Sequence, residues 1–284
     1  MADHPVNHAA LRAWRDQLAA WAIPDEILAA APESPWVLPQ AVFVRRVDRH
    51  LRGPATPTHT AVLDALAAGG TVIDVGAGAG AACLPCAKAI THVTAVDSNA
   101  ALLTEFAGRA ADLGLAHETV EGRWPDVAPQ VEPADVVVAG HVLYNVPDLP
   151  PFVAALNSHA HRRVVVELAE AHPLTSLNPY WLRFHGLRRP DGPTADDATA
   201  ALRELGVEPD VVRWHKQASP EYQRFDELVE VTRRRLCLPP ERAAEVADAL
   251  RENGVDEAAP PDLGSSGRAV VTLSWSPRSP ERTH

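Results

Sequence analysis

Two carboxylates and three glycines lie close together in the Thr71–Asp97 stretch. Thr71-Val72-Ile73 is a mostly apolar run that ends in Asp74, and Gly76, Gly78 and Gly80 follow at every second position. A second apolar run, His92–Val96, is closed by Asp97. Glycine serves where a chain must turn tightly or let a ligand touch backbone. In dinucleotide-binding proteins such a loop faces a pyrophosphate. Asp74, two residues before the first glycine, would repel a pyrophosphate and suits a ligand with a cationic group. The spacing is Gly-x-Gly-x-Gly rather than Gly-x-Gly-x-x-Gly, although Ala81 could fill the last place of the second pattern. Asp97, at the end of the next strand, is placed to accept hydrogen bonds from a ribose diol. Together these features suit an adenosine with an amino-acid tail and a sulfonium charge, and Asp74 disfavours an NAD-dependent oxidoreductase.

The elements that must hold these residues follow from periodicity and punctuation. Strands are predicted at Thr71–Val75, His92–Val96, Glu118–Gly122, Asp135–Ala139 and Arg163–Leu168, with helices between them at Ala81–Ala89, Ser98–Leu113 and Asp148–His159. Thr56 and Pro57 suit the start of a helix over Pro57–Ala68, and Ser98 or Asn99 can cap the second of the intervening helices. Strands alternating with helices imply a parallel sheet with ligands beyond the carboxyl ends of its strands. Ahead of this core, Leu11, Trp14, Leu18 and Trp21 form one apolar stripe of a helix over Asn7–Ala22. Further helices are predicted at Asp25–Ala31 and Gln40–Leu51, the latter carrying Arg45 and Arg46. These either reach a cofactor or substrate carboxylate or are solvated. After Glu170 the chain becomes rich in Pro, aromatic and Arg residues. It then continues as a helix over Thr194–Leu205, a strand over Asp210–His215, helices over Ser219–Leu236 and Pro239–Asn253, and a last strand over Gly267–Trp275.

Asp74-Val75-Gly76-Ala77-Gly78-Ala79-Gly80 with Asp97 resembles the first two motifs of the class I S-adenosylmethionine-dependent methyltransferases. Ala134–Tyr144 resembles that family's fourth strand and the loop beyond it, and Arg163–Leu168 its fifth strand. The resemblance covers roughly Thr56–Glu170. It implies an α/β fold with a doubly wound, mostly parallel seven-stranded sheet, an N-terminal helical cap (residues 1–56) and a helical insert before the last strand (219–263). Residues 57–218 and 264–276 would be the core, and 277–284 a disordered tail. It implies S-adenosyl-L-methionine as cofactor, held by Asp74, Gly76, Ala77, Gly78, Gly80, Asp97, Ser98, Gly122, Arg123, Trp124 and Gly140. Arg123 departs from the family, which often has Asp there to meet the adenine amino group, and a guanidinium cannot accept a hydrogen bond. Backbone around Gly122–Trp124 could serve instead. Trp124 either stacks on the base or packs in the core.

In this family the loop after the fourth strand faces the methyl group. Here it is Gly140-His141-Val142-Leu143-Tyr144-Asn145-Val146-Pro147. His141 is the candidate base, since an unperturbed imidazole titrates near working pH; the alternative is a positioning role. Tyr144 and Asn145 could orient the acceptor. The loop is not the Asn/Asp-Pro-Pro-aromatic motif of amide or base amino-group methylation, which favours O-methylation of a small molecule. RNA or protein methylation and a non-catalytic, cofactor-binding regulatory role are the alternatives. A groove of Arg45, Arg46, Arg183, Arg188 and Arg189 would favour RNA. Glu167 and Glu170 are expected to point into the same cleft, with His172, Tyr180, Trp181, Arg183 and His185 nearby. Arg233-Arg234-Arg235 are expected on a solvated helix face.

The 284 residues are 46% apolar and 22% charged, as in ordinary globular proteins. A net charge of −11 argues against tight nonspecific nucleic-acid binding without excluding a local basic groove. Met1–Pro5 lacks the basic and apolar regions of a secretory signal, and no apolar run is long enough to span a membrane, so a cytoplasmic location is expected. The Ala, Arg and Pro content suggests a high-GC bacterial coding sequence. Lys88 and Lys216 are the only lysines. Cys83, Cys86 and Cys237 make no disulfide framework. Cys83 and Cys86 are expected to pack against the sheet rather than act in redox chemistry, and no metal site is expected.

Overall fold

The computed structural model describes residues 8–217 and 220–277. Seven strands, β1 (Gly70–Val75), β2 (Ile90–Asp97), β3 (His117–Glu121), β4 (Ala134–Gly140), β5 (Ala160–Ala169), β6 (Asp210–His215) and β7 (Ala269–Trp275), form one sheet in the order β3-β2-β1-β4-β5-β7-β6. β3 to β5 run parallel, and β7 is antiparallel to both of its neighbours. The central strands are apolar on both faces because helices cover both. Val72, Ile73, Val136, Val137, Val138, Val164, Val165 and Val166 are all buried. The predicted doubly wound α/β architecture is therefore the one observed.

The helices are α1 (Ala9–Ala19), α2 (Asp25–Ala30), α3 (Gln40–Arg52), α4 (Pro57–Ala65), α5 (Ala100–Asp112), α6 (Leu149–His159), α7 (Asn178–His185), α8 (Ala195–Glu204), α9 (Phe225–Arg235) and α10 (Ala243–Glu252). Caps set several starts. At α4 the Thr56 hydroxyl accepts from the His59 amide while His59 Nδ1 accepts from the Thr56 amide. Thr194 and Asp197 do the same at α8, and Asn99 rather than Ser98 caps α5.

Two expectations are corrected. The helix predicted over Ala81–Ala89 is a run of turns followed by a 3₁₀ segment, Leu84–Ala89. Pro85 has no N–H for the bond that an α-helix would need at that place. The stretch after Glu170, where Pro, aromatic and Arg residues predict no helix, contains α7, with Pro179 in its first turn. The predicted tail falls almost wholly on residues 278–284, and the predicted helix starts at Asn7 and Ser219 also lie outside the described residues.

The N-terminal helices and the segment after β6 share an apolar cluster. Ile23 and Val42 pack with Leu177, Tyr180, Trp181, Tyr222, Leu228 and Leu250. α3 is the hinge of this lobe: Val42 belongs to that cluster, whereas Val47 belongs to the one beneath β1 and β2. Arg233-Arg234-Arg235 are not on a solvated face. Arg233 is 1% exposed, pairs with Glu230 and Glu33 and donates to the Leu238 carbonyl. Arg234 and Arg235 donate to the carbonyls of Val37 and Pro35. Among the described residues no helix is long and apolar enough to cross a membrane.

Candidate active site

β1, β2 and β4 deliver the glycine loop and both predicted carboxylates to one end of the sheet. The amides of Gly76 and Ala77 donate to the Val96 carbonyl at 2.7 and 3.0 Å. Asp97 closes the loop: Oδ2 accepts from the Gly78 amide at 2.8 Å and Oδ1 from the Asn99 amide at 2.9 Å. Each oxygen keeps a second lone pair, so the carboxylate can hold the loop and still receive a diol. Gly78 and Gly80 are buried, with positive φ of 53° and 98°. Phe43 of α3 lies over Gly78. Ser98 and Arg123 are exposed at the rim, and the Gly122 amide donates to the Asp97 carbonyl. Trp124 is in the core, edge-on to His159 at 5.0 Å, with its Nε1 buried and unpartnered.

Asp74 is fully buried and neither carboxylate oxygen has a hydrogen-bond partner of normal geometry. Burial pushes its carboxyl up to about 7, Asp97 adds to the rise, and the Cys83 thiol offsets only part of it. A buried acceptor pair beside an open-backbone glycine loop fits a ligand bringing ammonium or sulfonium charge, so these residues fit S-adenosylmethionine. Cys83 and Cys86 are buried free thiols pushed to high pKa by burial, the reverse of a reactive thiolate.

Beyond β4, Gly140 leads into His141, which has the unusual φ of 58°. Its amide donates to the Glu167 carbonyl at 2.7 Å, and its Nε2 lies 2.9 Å from Glu167 Oε1. Glu167 Oε2 accepts from the Thr58 hydroxyl at 2.6 Å. Burial pushes the Glu167 carboxyl up, but the His141 hydrogen bond, the Lys216 charge and Thr58 outweigh it and hold it well below the carboxylate range. Burial and the Lys216 ammonium lower the His141 pKa, which favours neutral imidazole. With hydrogen on Nε2 directed at Glu167, the lone pair is on Nδ1, which is buried and unpartnered.

Other expected residues stand elsewhere. The Tyr144 hydroxyl donates to the Ala169 carbonyl at 2.7 Å, and its ring packs against Trp14 and His172. Trp14 Nε1 donates to the Val146 carbonyl at 2.9 Å, so α1 anchors the His141 loop. Glu170 does not enter the cleft with Glu167; it pairs with Arg213 near the surface. His172 stacks on Trp21 at 4.2 Å, Tyr180 and Trp181 are buried in the lobe, Arg183 pairs with Glu252, and His185 meets the Leu236 carbonyl. Arg45 pairs with Glu227 at 2.5 Å, and Arg46 with Glu221 at 2.6 Å, rather than being solvated. Lys216, directly after β6, escaped the sequence reading. Its Nζ lies 3.2 Å from His141 Nε2 and donates to Ser266 Oγ at 2.8 Å. Its signal is rarity, one of two lysines in a chain whose other strongly basic side chains are arginines.

A family model for a methyltransferase domain matches residues 47–208, more than half of the chain, and the protein belongs to that family. It is an S-adenosylmethionine-dependent methyltransferase. Among solved structures, a candidate methyltransferase from Bacillus halodurans C-125 is similar in fold. It is 17% identical, with 78% of this chain and 97% of that chain covered and a TM-score of 0.51. A methyltransferase from Geobacter sulfurreducens in complex with S-adenosyl-L-homocysteine is 17% identical over 85% of this chain and 99% of that one, with a TM-score of 0.49. Magnesium protoporphyrin IX methyltransferase from Synechocystis PCC 6803, with bound S-adenosylhomocysteine, is 20% identical over 63% and 90%, with a TM-score of 0.47. No curated protein matches the sequence.

Proposed function

We propose that the protein methylates a hydroxyl oxygen of a small molecule, with His141 as the base. The observation that carries this reading is the His141–Glu167 pair: Nε2 lies 2.9 Å from Glu167 Oε1 and Nδ1 has no protein partner, while the lowered pKa values of both groups favour a neutral imidazole held by an ionised carboxylate. The bound cofactor supplies an electrophilic methyl carbon on a sulfonium. Asp74 and the Gly76–Gly80 backbone bind its charged tail, and Asp97 receives the ribose. His141 Nδ1, which the acceptor must reach by displacing what covers it, would take the hydroxyl proton as the oxygen bonds to the methyl carbon and the carbon–sulfur bond breaks to release S-adenosylhomocysteine, and Glu167 would steady the imidazolium. Glu167 is thus a positioning residue, as is Tyr144, which fixes the loop against Ala169. A small acceptor is supported by four of the five arginines that would have made a basic groove, Arg188 being exposed. Arg45, Arg46 and Arg183 are spent on carboxylates, and Arg189 on the carbonyls of Trp21 and Ala22.

The test supplies methyl-labelled S-adenosylmethionine with cell extract separated into small-molecule, RNA and protein fractions. Label is expected in the small-molecule fraction, as a base-stable ether. His141→Gln is expected to lower the rate about 100-fold or more while leaving S-adenosylhomocysteine affinity within a few-fold. Label in RNA or protein, or a His141→Gln enzyme of undiminished rate, would sink the reading.

A further inference from the structure

A cavity of about 190 Å³ is lined by residues that include Arg49, Lys216, Glu221, Asp262, Gly267 and Arg268, and Lys216 links it to the site, its Nζ 3.2 Å from His141 Nε2. Its charges do not balance locally. Glu221 is engaged by Arg46 at 2.6 Å and Arg49 at 3.1 Å, and Asp262 lies 3.7 Å from Arg46 and accepts from Ser266 at 2.8 Å. Lys216 makes no ion pair with a carboxylate among the described residues. Its ammonium has three donors. One goes to Ser266 Oγ, and His141 Nε2 offers no lone pair while its hydrogen is on Glu167. Two donors are therefore left on a half-buried ammonium that lines the cavity. Arg268, exposed at the mouth, likewise has no ion pair among the described residues. Burial lowers the Lys216 pKa, only partly opposed by Glu167, so an arriving anion would relieve a cost already present in the empty protein.

We propose that this cavity binds a carboxylate group of the methyl acceptor, with Lys216 in its lining and Arg268 at its mouth as the counter-charges. The proposal rests on the small-molecule reading above. A monoanion is favoured because Glu221 and Asp262 line the same cavity and would repel a dianion. A carboxylate also matches the two parallel donors of a guanidinium at the mouth. Anchored there, an acceptor would sit against the His141 loop, making Lys216 and Arg268 determinants of specificity.

Isothermal titration of the full chain, saturated with S-adenosylhomocysteine, would use benzoate, its neutral isostere benzamide, and inorganic phosphate. Benzoate is expected to bind about tenfold or more tighter than either. Lys216→Met, which keeps the stem and removes the charge, is expected to abolish that margin. Arg268→Gln, at an exposed site where folding is not at risk, is expected to reduce it a few-fold. S-adenosylhomocysteine affinity should be unchanged in both variants. Equal binding of benzoate and benzamide, a preference for phosphate, or wild-type benzoate affinity in Lys216→Met would overturn the proposal. So would a parallel loss of S-adenosylhomocysteine affinity, which would assign the carboxylate to the cofactor's own tail. These titrations involve no turnover, so they can fail while methyl transfer to a small molecule stands, and the reverse.

Discussion

Asp74 is buried and its oxygens have no hydrogen bond of normal geometry, the Cys83 contact offsetting only part of the cost of burial, a state that costs stability in the absence of ligand. Its folded pKa, raised to about 7 by burial, fixes the sign of the pH dependence. The unfolded chain ionises Asp74 near pH 4 while the folded chain keeps it protonated. This contribution to stability is therefore complete below about pH 4 and is lost as pH rises towards 7, by roughly 4 kcal/mol in all. Asp74→Asn should consequently melt higher than wild type at about pH 8, with the gain shrinking towards acid. The same substitution should weaken S-adenosylhomocysteine binding about tenfold or more, and should flatten the fall in affinity expected for wild type below about pH 7. Thermal melts and ligand titrations across that range check both. An Asp74→Asn protein less stable than wild type at alkaline pH would show that the carboxylate is satisfied in the empty protein. At this scale the sequence was informative where residue type alone restricts the chemistry, as for Asp74, Asp97 and His141. It put Glu167 in the cleft but could not show its pairing with His141, and it could not place Lys216, because these contacts join residues far apart in the chain.

The loop and its flanking elements separate two kinds of glycine. A Cβ added at Gly80 would lie 2.4 Å from Leu84 Cδ1 and 3.0 Å from Phe106 Cδ2, both in the core, on a backbone with φ of 98°. At Gly78 the nearest atom would be Phe43 Cδ1 at 3.6 Å, an ordinary contact. Gly80→Ala is therefore expected to cost about 3 kcal/mol or more through overpacking and strain, read as a lower melting temperature. Gly78→Ala should cost only about 1–2 kcal/mol for its left-handed conformation, yet lose cofactor affinity where backbone approach matters. Equal melting temperatures for the two variants would contradict the difference in packing. The strands were legible because central parallel strands are apolar on both faces. The short 3₁₀ segment was not, because a helix-like composition hid what Pro85 does to the ladder. α7 is hard to read because its Pro, Tyr, Trp and Arg residues resemble a loop, and the burial of Tyr180 and Trp181 comes from a cluster shared with α9 and α10.

Across the whole molecule, the N-terminal helices pack against the segment between β6 and β7. α3 ties them by the Arg45–Glu227 and Arg46–Glu221 ion pairs and by Val42 in the shared cluster. Removing residues 1–52 would strip away Leu11, Trp14, Trp21, Ile23, Val42 and Val47, all buried. At about 2 kcal/mol for each large apolar side chain the loss is about 12 kcal/mol, comparable with the whole stability of a typical domain. The shortened chain is expected to be cut rapidly by protease within residues 220–263. Protection equal to that of the full chain would mean that the insert folds without α1 to α3.

The order of strands, the glycine loop and the two acidic strand ends were determined by the sequence alone. Each is encoded locally, by a run of apolar residues, a turn that needs glycine, or a carboxylate at a fixed distance along the chain. The tertiary structure decided which arginines are free. Arg233, Arg234 and Arg235 find Glu33, Val37 and Pro35 about two hundred residues away, and Arg46 finds Glu221, while Lys216 and Arg268 find no carboxylate among the described residues. Charge pairing depends on distance in space, and composition records the number of charges without recording their partners.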